Sequence, residues 1–159
     1  MKNPMKLADF MVREAIITDL RATTKEGVIH EIVSSLRDAG HLEKADVETF
    51  MLGFMSREAL GSTAIGQGAA CPETRHPGVD RVIGTVALSR RGVEFDAWDG
   101  EPVDVFFLLI SPASQPGNHL WALNNIARLR DQGFVSRFRQ AETREQVIDL
   151  LEEADQGNA

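Results

Sequence analysis

The chain has 159 residues and a mass of 17.5 kDa, and its hydrophobic (43%) and charged (26%) fractions are typical of one globular domain. Its 24 acidic and 17 basic residues give a net charge of −7, which argues against nucleic acid or an anionic membrane as a partner. The single cysteine excludes an internal disulfide and a cysteine-rich zinc site, and no metal or cofactor is expected. No apolar run is long enough to cross a membrane. We expect a cytoplasmic protein of one domain, residues 1–159, with its core at about 16–153.

The first part of the chain predicts a short strand followed by two amphipathic helices. Residues 15–20 form an apolar run, which predicts the first strand. Thr23 and Glu26 have the spacing of a capping box, and apolar residues at helical spacing follow as far as Gly40. Asp46 opens a second helix. The apolar face of that helix consists of Val47, Phe50, Met51, Phe54 and Met55, which we interpret as core.

The later part of the chain alternates strands and helices. Strands are predicted at 81–88 and 103–110, and the second is almost wholly apolar, as in a central strand covered on both faces. A helix is predicted from about 119 to 130. A last helix opens with a capping box at residues 143–146, and the chain is expected to fray after Glu153. Interleaved strands and helices indicate a layered α/β domain.

A glycine-rich segment, GSTAIGQGAACPETRHPGVD, occupies residues 61–80, and its first eight residues predict a loop. It lacks both the Gly-Lys-Ser/Thr end of a P-loop and a Gly-x-Gly-x-x-Gly turn, which disfavours nucleotide binding. Exposed N–H groups in such a segment are suited to hold an anion. Pro72 and Pro77 would stiffen the backbone next to Glu73 and His76. The alternative is an ordinary tight connection between strands.

Histidine and cysteine side chains are further candidates for a site. His119 begins a predicted helix, where free N–H groups favour an anion, although a structural role explains it equally well. His76 lies in the glycine-rich segment. Cys71 has Arg75 and His76 nearby, as a nucleophile would, but a cysteine between alanine and proline is more often a small buried residue.

Three motifs carry a resemblance to a known family. Arg57-Glu58 precedes GSTAIGQGAACPE, and the segments FDAWDGEPVDVFFLLISP and NHLWALNNIARL follow in that order. From about residue 16 to 153 the chain resembles the fructose/mannitol type of phosphotransferase-system enzyme IIA, most closely its nitrogen-regulatory branch. The resemblance implies a mixed five-stranded sheet with helices on both faces, a three-layer α/β/α arrangement.

The resemblance also implies a phosphoryl-transfer site. In this family a histidine at the end of the glycine-rich loop accepts a phosphoryl group from the phosphocarrier HPr, and Glu73 stands at that position here. His119 corresponds to the histidine that steadies the phosphate. The residues implied to bind phosphate or a partner are Arg57, Gln67, Gly66, Gly68 and His76.

A carboxylate at the acceptor position changes the expected chemistry. A histidine relay needs a neutral imidazole nitrogen as nucleophile, which Glu73 does not offer. We therefore expect a regulatory module that binds proteins, with transfer lost or impaired and Glu73 paired to Arg57 or His119. The implied partners are an HPr-like phosphocarrier and a regulated target protein, while the oligomeric state stays open.

Two alternative hypotheses remain open at the level of the sequence. One is an active phosphocarrier that takes a phosphoryl group from HPr on His76, His119 or Glu73 itself. The other is a small-molecule binding module built on the same scaffold.

Overall fold

The computed structural model describes residues 5–157, which form a mixed five-stranded sheet with helices packed on both faces. The strands are β1 (Ala64–Gly66), β2 (Ala69–Ala70), β3 (Glu73–His76), β4 (Ile83–Val93) and β5 (Val103–Pro112). The helices are α1 (Leu7–Phe10), α2 (Lys25–Asp38), α3 (Val47–Ala59), α4 (Pro116–Asp131), α5 (Val135–Gln140) and α6 (Arg144–Gly157). Within this range no helix has the length and apolar character needed to span a bilayer. The architecture confirms the predicted fold class.

β5 is the central strand of the sheet, because it pairs along both of its edges. β4 runs antiparallel to it on one edge. On the other edge β2 and β3 both run parallel to β5 in one continuous register, with Ala69 opposite Val105 and Glu73 opposite Leu109. The break between β2 and β3 contains Pro72, which has no N–H to donate to a ladder. Glu73 therefore begins a strand directly after an interruption in the sheet.

Alternate side chains of β5 enter two separate hydrophobic layers. The layer beneath α1, α4, α5 and α6 receives Val105, Phe107 and Leu109 from β5. The layer beneath α2 and α3 receives Phe106, Leu108 and Ile110. All of these side chains are fully buried, which confirms the prediction of a central strand covered on both faces.

The segment predicted as a first strand, residues 15–20, is not a regular strand. A 3₁₀ turn occupies Arg13–Ala15, and a single bridge from Ile17 to Ala87 connects the segment with β4. Ala15, Ile16 and Leu20 are buried because the segment runs along the outer edge of β4, and periodicity alone does not distinguish that position from a strand. The buried core also begins earlier than predicted, at Leu7.

The helices α2 and α4 begin at other residues than predicted. Thr24 caps α2 in place of Thr23, since its hydroxyl accepts the N–H of Gly27. α4 begins at Pro116, which suits the first turn because its missing N–H would have no partner there. His119 is therefore inside the first turn of α4 and not at its start.

The C-terminal region contains one helix that was not predicted and one that is longer than predicted. α5 is a short helix between α4 and α6. α6 opens with the predicted capping box, because Thr143 accepts the N–H of Gln146 and the Gln146 side chain accepts the N–H of Thr143. The helix continues to Gly157 instead of fraying after Glu153, and Asp155 in its last turn accepts two backbone N–H groups of α1.

Phe107→Ala is expected to lower the free energy of unfolding by about 3–5 kcal/mol. Phe107 is fully buried and its ring centroid lies 5.4 Å from that of Phe138. Leu60→Ala, at a leucine that is 85% exposed, is the control and should change the free energy by less than about 0.5 kcal/mol. Urea unfolding measures both, and similar small losses would contradict the placement of Phe107 in the core.

Candidate functional site

Glu73 faces the α4 side of the sheet at the start of β3. It lies opposite Leu109, which belongs to the layer beneath α4, and paired residues on neighbouring strands project to the same face. Its side chain is 15% exposed. The carboxylate is therefore largely removed from water but still reaches the surface of the molecule.

Two basic side chains hold this carboxylate, one at each oxygen. Arg57 Nε donates to Glu73 Oε2 at 2.7 Å, and His119 Nε2 lies 3.0 Å from Oε1. Arg57 comes from the last turn of α3 and His119 from the first turn of α4, so the carboxylate joins helices from the two faces of the sheet. The pairing predicted for Glu73 occurs with both residues.

The approach of α3 to β3 depends on a glycine in the middle of the helix. A Cβ atom added to Gly53 would lie 2.5 Å from the hydroxyl oxygen of Thr74, on the face of β3 opposite to Glu73. Such a distance leaves no room for a larger residue without movement of the helix. Gly53 thus allows α3 to pack closely enough for Arg57 to reach around to the carboxylate.

Each basic partner of Glu73 has a further contact that fixes its position. Arg57 Nη1 donates to the carbonyl of Gly61 at 2.8 Å, just beyond the end of α3. His119 Nδ1 lies 2.7 Å from the hydroxyl of Ser111, which is fully buried in β5. Both ring nitrogens of His119 are thus engaged, and Nε2 is held towards Glu73. Sequence reasoning missed Ser111, for which the only signal was a hydroxyl residue inside an apolar strand.

These contacts keep Glu73 ionised. Burial, the largest single influence, acts to raise the pKa of Glu73, but the hydrogen bonds and charges of His119 and Arg57 together bring the pKa below its ordinary value. At neutral pH the site therefore holds a fixed negative charge between an arginine and an imidazole.

Ser111, His119 and Glu73 are connected by hydrogen bonds in the same order as the catalytic triad of a serine hydrolase. Unlike the serine of such a triad, Ser111 is not accessible to a substrate. Ser111 is fully buried, so a substrate carbonyl does not reach its hydroxyl. Cys71 is buried as predicted, and burial, followed by the charges of Glu73 and Glu58, raises the pKa of its thiol. The described part of the chain also has no group of three His, Cys, Asp or Glu residues arranged to hold a metal ion.

The turn formed by Gly66, Gln67 and Gly68 lies away from Glu73. It connects β1 with β2 in a hairpin, where a loop was predicted, and the φ angles of the three residues are 90°, 60° and 80°. The carbonyl of Gln67 accepts a hydrogen bond from Arg139. β2, which follows the turn, and Glu73 occupy positions on β5 that are about 13 Å apart. Gln67 and Glu73 were assigned to the same site. Within residues 5–157, however, no hydrogen bond or ion pair joins Gln67 to Glu73.

His76 lies on the other face of β3 from Glu73, because side chains alternate along a strand. Its ring packs on Phe50 of α3 with the ring centroids 4.2 Å apart. Its Nε2 is 3.1 Å from the Thr49 hydroxyl, and Nδ1 accepts the N–H of Gly78 at 2.8 Å. His76 is thus held in a separate set of contacts against α3.

A buried carboxylate that sequence reasoning did not single out, Glu58, anchors the segment before Glu73. Glu58 accepts hydrogen bonds from the N–H and the hydroxyl of Thr63, and Lys25 Nζ lies 3.1 Å from its Oε1. Lys25 also lies 3.2 Å from Asp96 Oδ2. The cluster joins α2, the end of α3 and the β4–β5 connection beside the arginine that binds Glu73. No local sequence pattern predicts this cluster, because its residues are far apart along the chain.

Comparisons with known proteins give one consistent result. Residues 9–154 match the family described as phosphoenolpyruvate-dependent sugar phosphotransferase system, EIIA 2. The chain is 33% identical to a nitrogen regulatory protein of Bradyrhizobium diazoefficiens, over 92% of this chain and 95% of that protein. The crystal structure of nitrogen regulatory protein IIA-Ntr from Neisseria meningitidis has a TM-score of 0.80 and 32% identity, covering 91% of this chain and 98% of that one. The crystal structure of IIA mannitol from Escherichia coli has a TM-score of 0.69 and 22% identity, covers 89% and 98% of the two chains, and supports the fold alone.

Glu73→Gln is expected to flatten the dependence of stability on pH in the acidic range. Folding lowers the pKa of Glu73 from 4.5, so its pairing stabilises the folded chain above that pH and is lost as the pH falls through the lower folded pKa. Between about pH 5 and about pH 3, the wild type should lose free energy of unfolding more steeply than the variant. Urea unfolding at several pH values measures both. Parallel profiles would contradict the pairing, and the exposed, non-titrating change Leu60→Ala is the control that should parallel the wild type.

Lys25→Met is expected to lower the free energy of unfolding by about 3–5 kcal/mol, because it leaves the buried carboxylate of Glu58 without its cation. The double variant Lys25→Met/Glu58→Gln removes the unpaired charge and should recover part of this loss. Urea unfolding measures the free energy of unfolding of both variants and of the wild type. A double variant no more stable than the single one would show that the buried charge is not the cause.

Proposed function

The chain belongs to the phosphoenolpyruvate-dependent sugar phosphotransferase system EIIA 2 family, and on that premise we propose that it is a nitrogen-regulatory enzyme IIA-like protein that recognises partners without relaying a phosphoryl group. In this proposal Glu73 stands at the position at which the family carries its acceptor histidine, and transfer is lost or impaired. A single domain and a cytoplasmic location are parts of the same proposal.

The observation that carries the proposal is the pair of contacts on the Glu73 carboxylate. Arg57 and His119 each engage one oxygen, and an arginine and an imidazole are also the groups that would bind the oxygens of a phosphoryl group at this place. A carboxylate with one negative charge partly imitates a phosphorylated side chain, which carries about −1.5 to −2. Glu73 thus supplies permanently part of the charge that phosphorylation would bring.

The same contacts make the carboxylate a poor phosphoryl acceptor. Both oxygens of Glu73 are hydrogen-bonded, which draws electron density away from them and makes the carboxylate a weaker nucleophile. A phosphoryl donor is itself anionic, so the carboxylate repels it, and the charge of Glu73 offsets the attraction of Arg57 for the donor. The two effects act in the same direction, against transfer.

The surface around the site suits a protein partner. Leu60, just after α3, is 85% exposed, and Leu120, next to His119 in α4, is 58% exposed. Apolar side chains beside a polar anchor are typical of protein interfaces. Enzyme IIA proteins interact with phosphocarriers of their phosphotransferase system. We propose that an HPr-like phosphocarrier and a regulated target protein dock on this surface.

Intact mass spectrometry after incubation with phosphoenolpyruvate, enzyme I and HPr tests the proposal. The wild type is expected to keep its mass, because Glu73 does not accept the phosphoryl group. Glu73→His is expected to gain about 80 Da, the mass of one phosphoryl group, because it restores a nucleophilic nitrogen between Arg57 and His119. Glu73→Gln, which removes the charge without supplying a nucleophile, is the matched control and should keep its mass.

A stoichiometric, donor-dependent adduct on the wild type would overturn the loss of transfer. Loss of that adduct in His76→Gln or His119→Gln would then identify the acceptor. An adduct that survives both changes and is released by hydroxylamine would identify an acyl phosphate on Glu73. Failure of Glu73→His to gain mass would instead count against residue 73 as the acceptor position.

A further inference from the structure

A groove open to solvent lies between α2 and α3, on the opposite layer from the Glu73 carboxylate. The two helices run antiparallel, since Lys25 at the start of α2 contacts Glu58 near the end of α3. The groove has a volume of about 440 Å³. It is lined by Glu26 and His30 of α2 and by Val47, Glu48, Met51, Leu52 and Met55 of α3.

The floor of the groove is apolar and flexible in shape. Met51 and Met55 were interpreted as core residues, but they are only half-buried, whereas Phe50 and Phe54 on the same helix are fully buried. Leu52 is 69% exposed beside the two methionines. Unbranched methionine side chains adjust readily to the shape of a partner, which suits a surface that is covered only in a complex.

Apart from His30, the ionisable residues that line the groove are acidic. Glu48 lies in the first turn of α3, and Glu26 lies in the first turn of α2, beside the last turn of α3. Among the lining residues in the described part of the chain, none is a lysine or an arginine. From Glu48 to Met55 the helix rises about 10 Å, so a carboxylate stands near each end of an apolar stretch of about two turns.

We propose that this groove binds a basic amphipathic helix of a partner protein. The apolar stripe of that helix would cover Met51, Leu52 and Met55, as in other complexes in which a helix lies in a groove. Two lysines or arginines seven residues apart on the partner rise about 10 Å along its axis, and they pair with Glu48 and Glu26. The net charge of −7 of the chain favours the approach of such a cationic segment.

The groove is independent of the proposed loss of phosphoryl transfer. α2 and α3 cover one hydrophobic layer of the sheet, and the Glu73 side chain faces the other. The same groove would be present in an active phosphocarrier, so the failure of one proposal leaves the other intact.

The probe for the test is a pair of synthetic helical peptides of about 15 residues. Both carry an apolar stripe; one carries two lysines seven residues apart beside it, and the other carries glutamates at those two positions. Binding is measured by calorimetry and by NMR of the methionine methyl groups. The lysine peptide is expected to bind at least about tenfold more tightly than the glutamate peptide and to shift the methyl signals of Met51 and Met55.

Substitutions at exposed positions test whether the peptide binds in the groove. Leu52→Ser and Glu48→Lys are each expected to weaken the lysine peptide about tenfold, the first by loss of apolar contact and the second by repulsion. Both side chains are exposed, so the fold should tolerate the changes. Leu120→Ser, at an exposed leucine of α4, is the matched control and should leave the affinity unchanged.

Four outcomes would overturn the proposal. One is no binding of the lysine peptide at concentrations up to about 1 mM. Another is equal binding of the two peptides, and a third is peptide-induced shifts that map around His119 and not around Met51. The fourth is a dimer of the chain that forms with rising concentration and is abolished by Leu52→Ser, which would assign the groove to a second copy.

Discussion

The ion pair of Glu73 with Arg57 and His119 joins the two halves of the molecule at the surface of the sheet. Arg57 lies in the last turn of a helix that packs on one hydrophobic layer, and His119 lies in the first turn of a helix that packs on the other. The carboxylate contacts both side chains at once, one at each oxygen. Without it, the half-buried guanidinium of Arg57 and the buried Nε2 of His119 would each lose a hydrogen-bond partner. The contacts of Gly61 and Ser111 serve the same arrangement, because each fixes one of the two basic side chains.

The functional proposal depends on whether this charge is permanent or transient. An acceptor histidine gains negative charge when it is phosphorylated and loses it on transfer, so the surface around it alternates between two states. The lowered pKa of Glu73 means that its charge persists at neutral pH. A partner whose binding depends on this charge would therefore bind the same state of the protein regardless of the supply of phosphoryl donor. The exposed leucines beside Arg57 and His119 would provide the contact area in either case.

Local patterns in the sequence predicted the framework of the fold better than the site. The apolar run at 103–110 predicted the central strand, because a strand buried on both faces has no polar alternation. The run at 15–20 looked similar, yet it lies irregularly along the edge of β4 with a single bridge, because burial and strand geometry are different properties. The pairing of Glu73 with His119 became predictable only through the family resemblance. Lys25 and Glu58 are 33 positions apart, and their contact depends on tertiary packing that no local period reports.

The most direct measurement of the central claim is the amide NMR spectrum of the wild-type chain upon addition of excess phosphoenolpyruvate, with catalytic amounts of enzyme I and HPr. The signals of Arg57, Glu73 and His119 are expected to keep their positions, because no phosphoryl group is transferred to the site. A new set of signals for these residues that grows with time and disappears when the donor is exhausted would contradict this expectation.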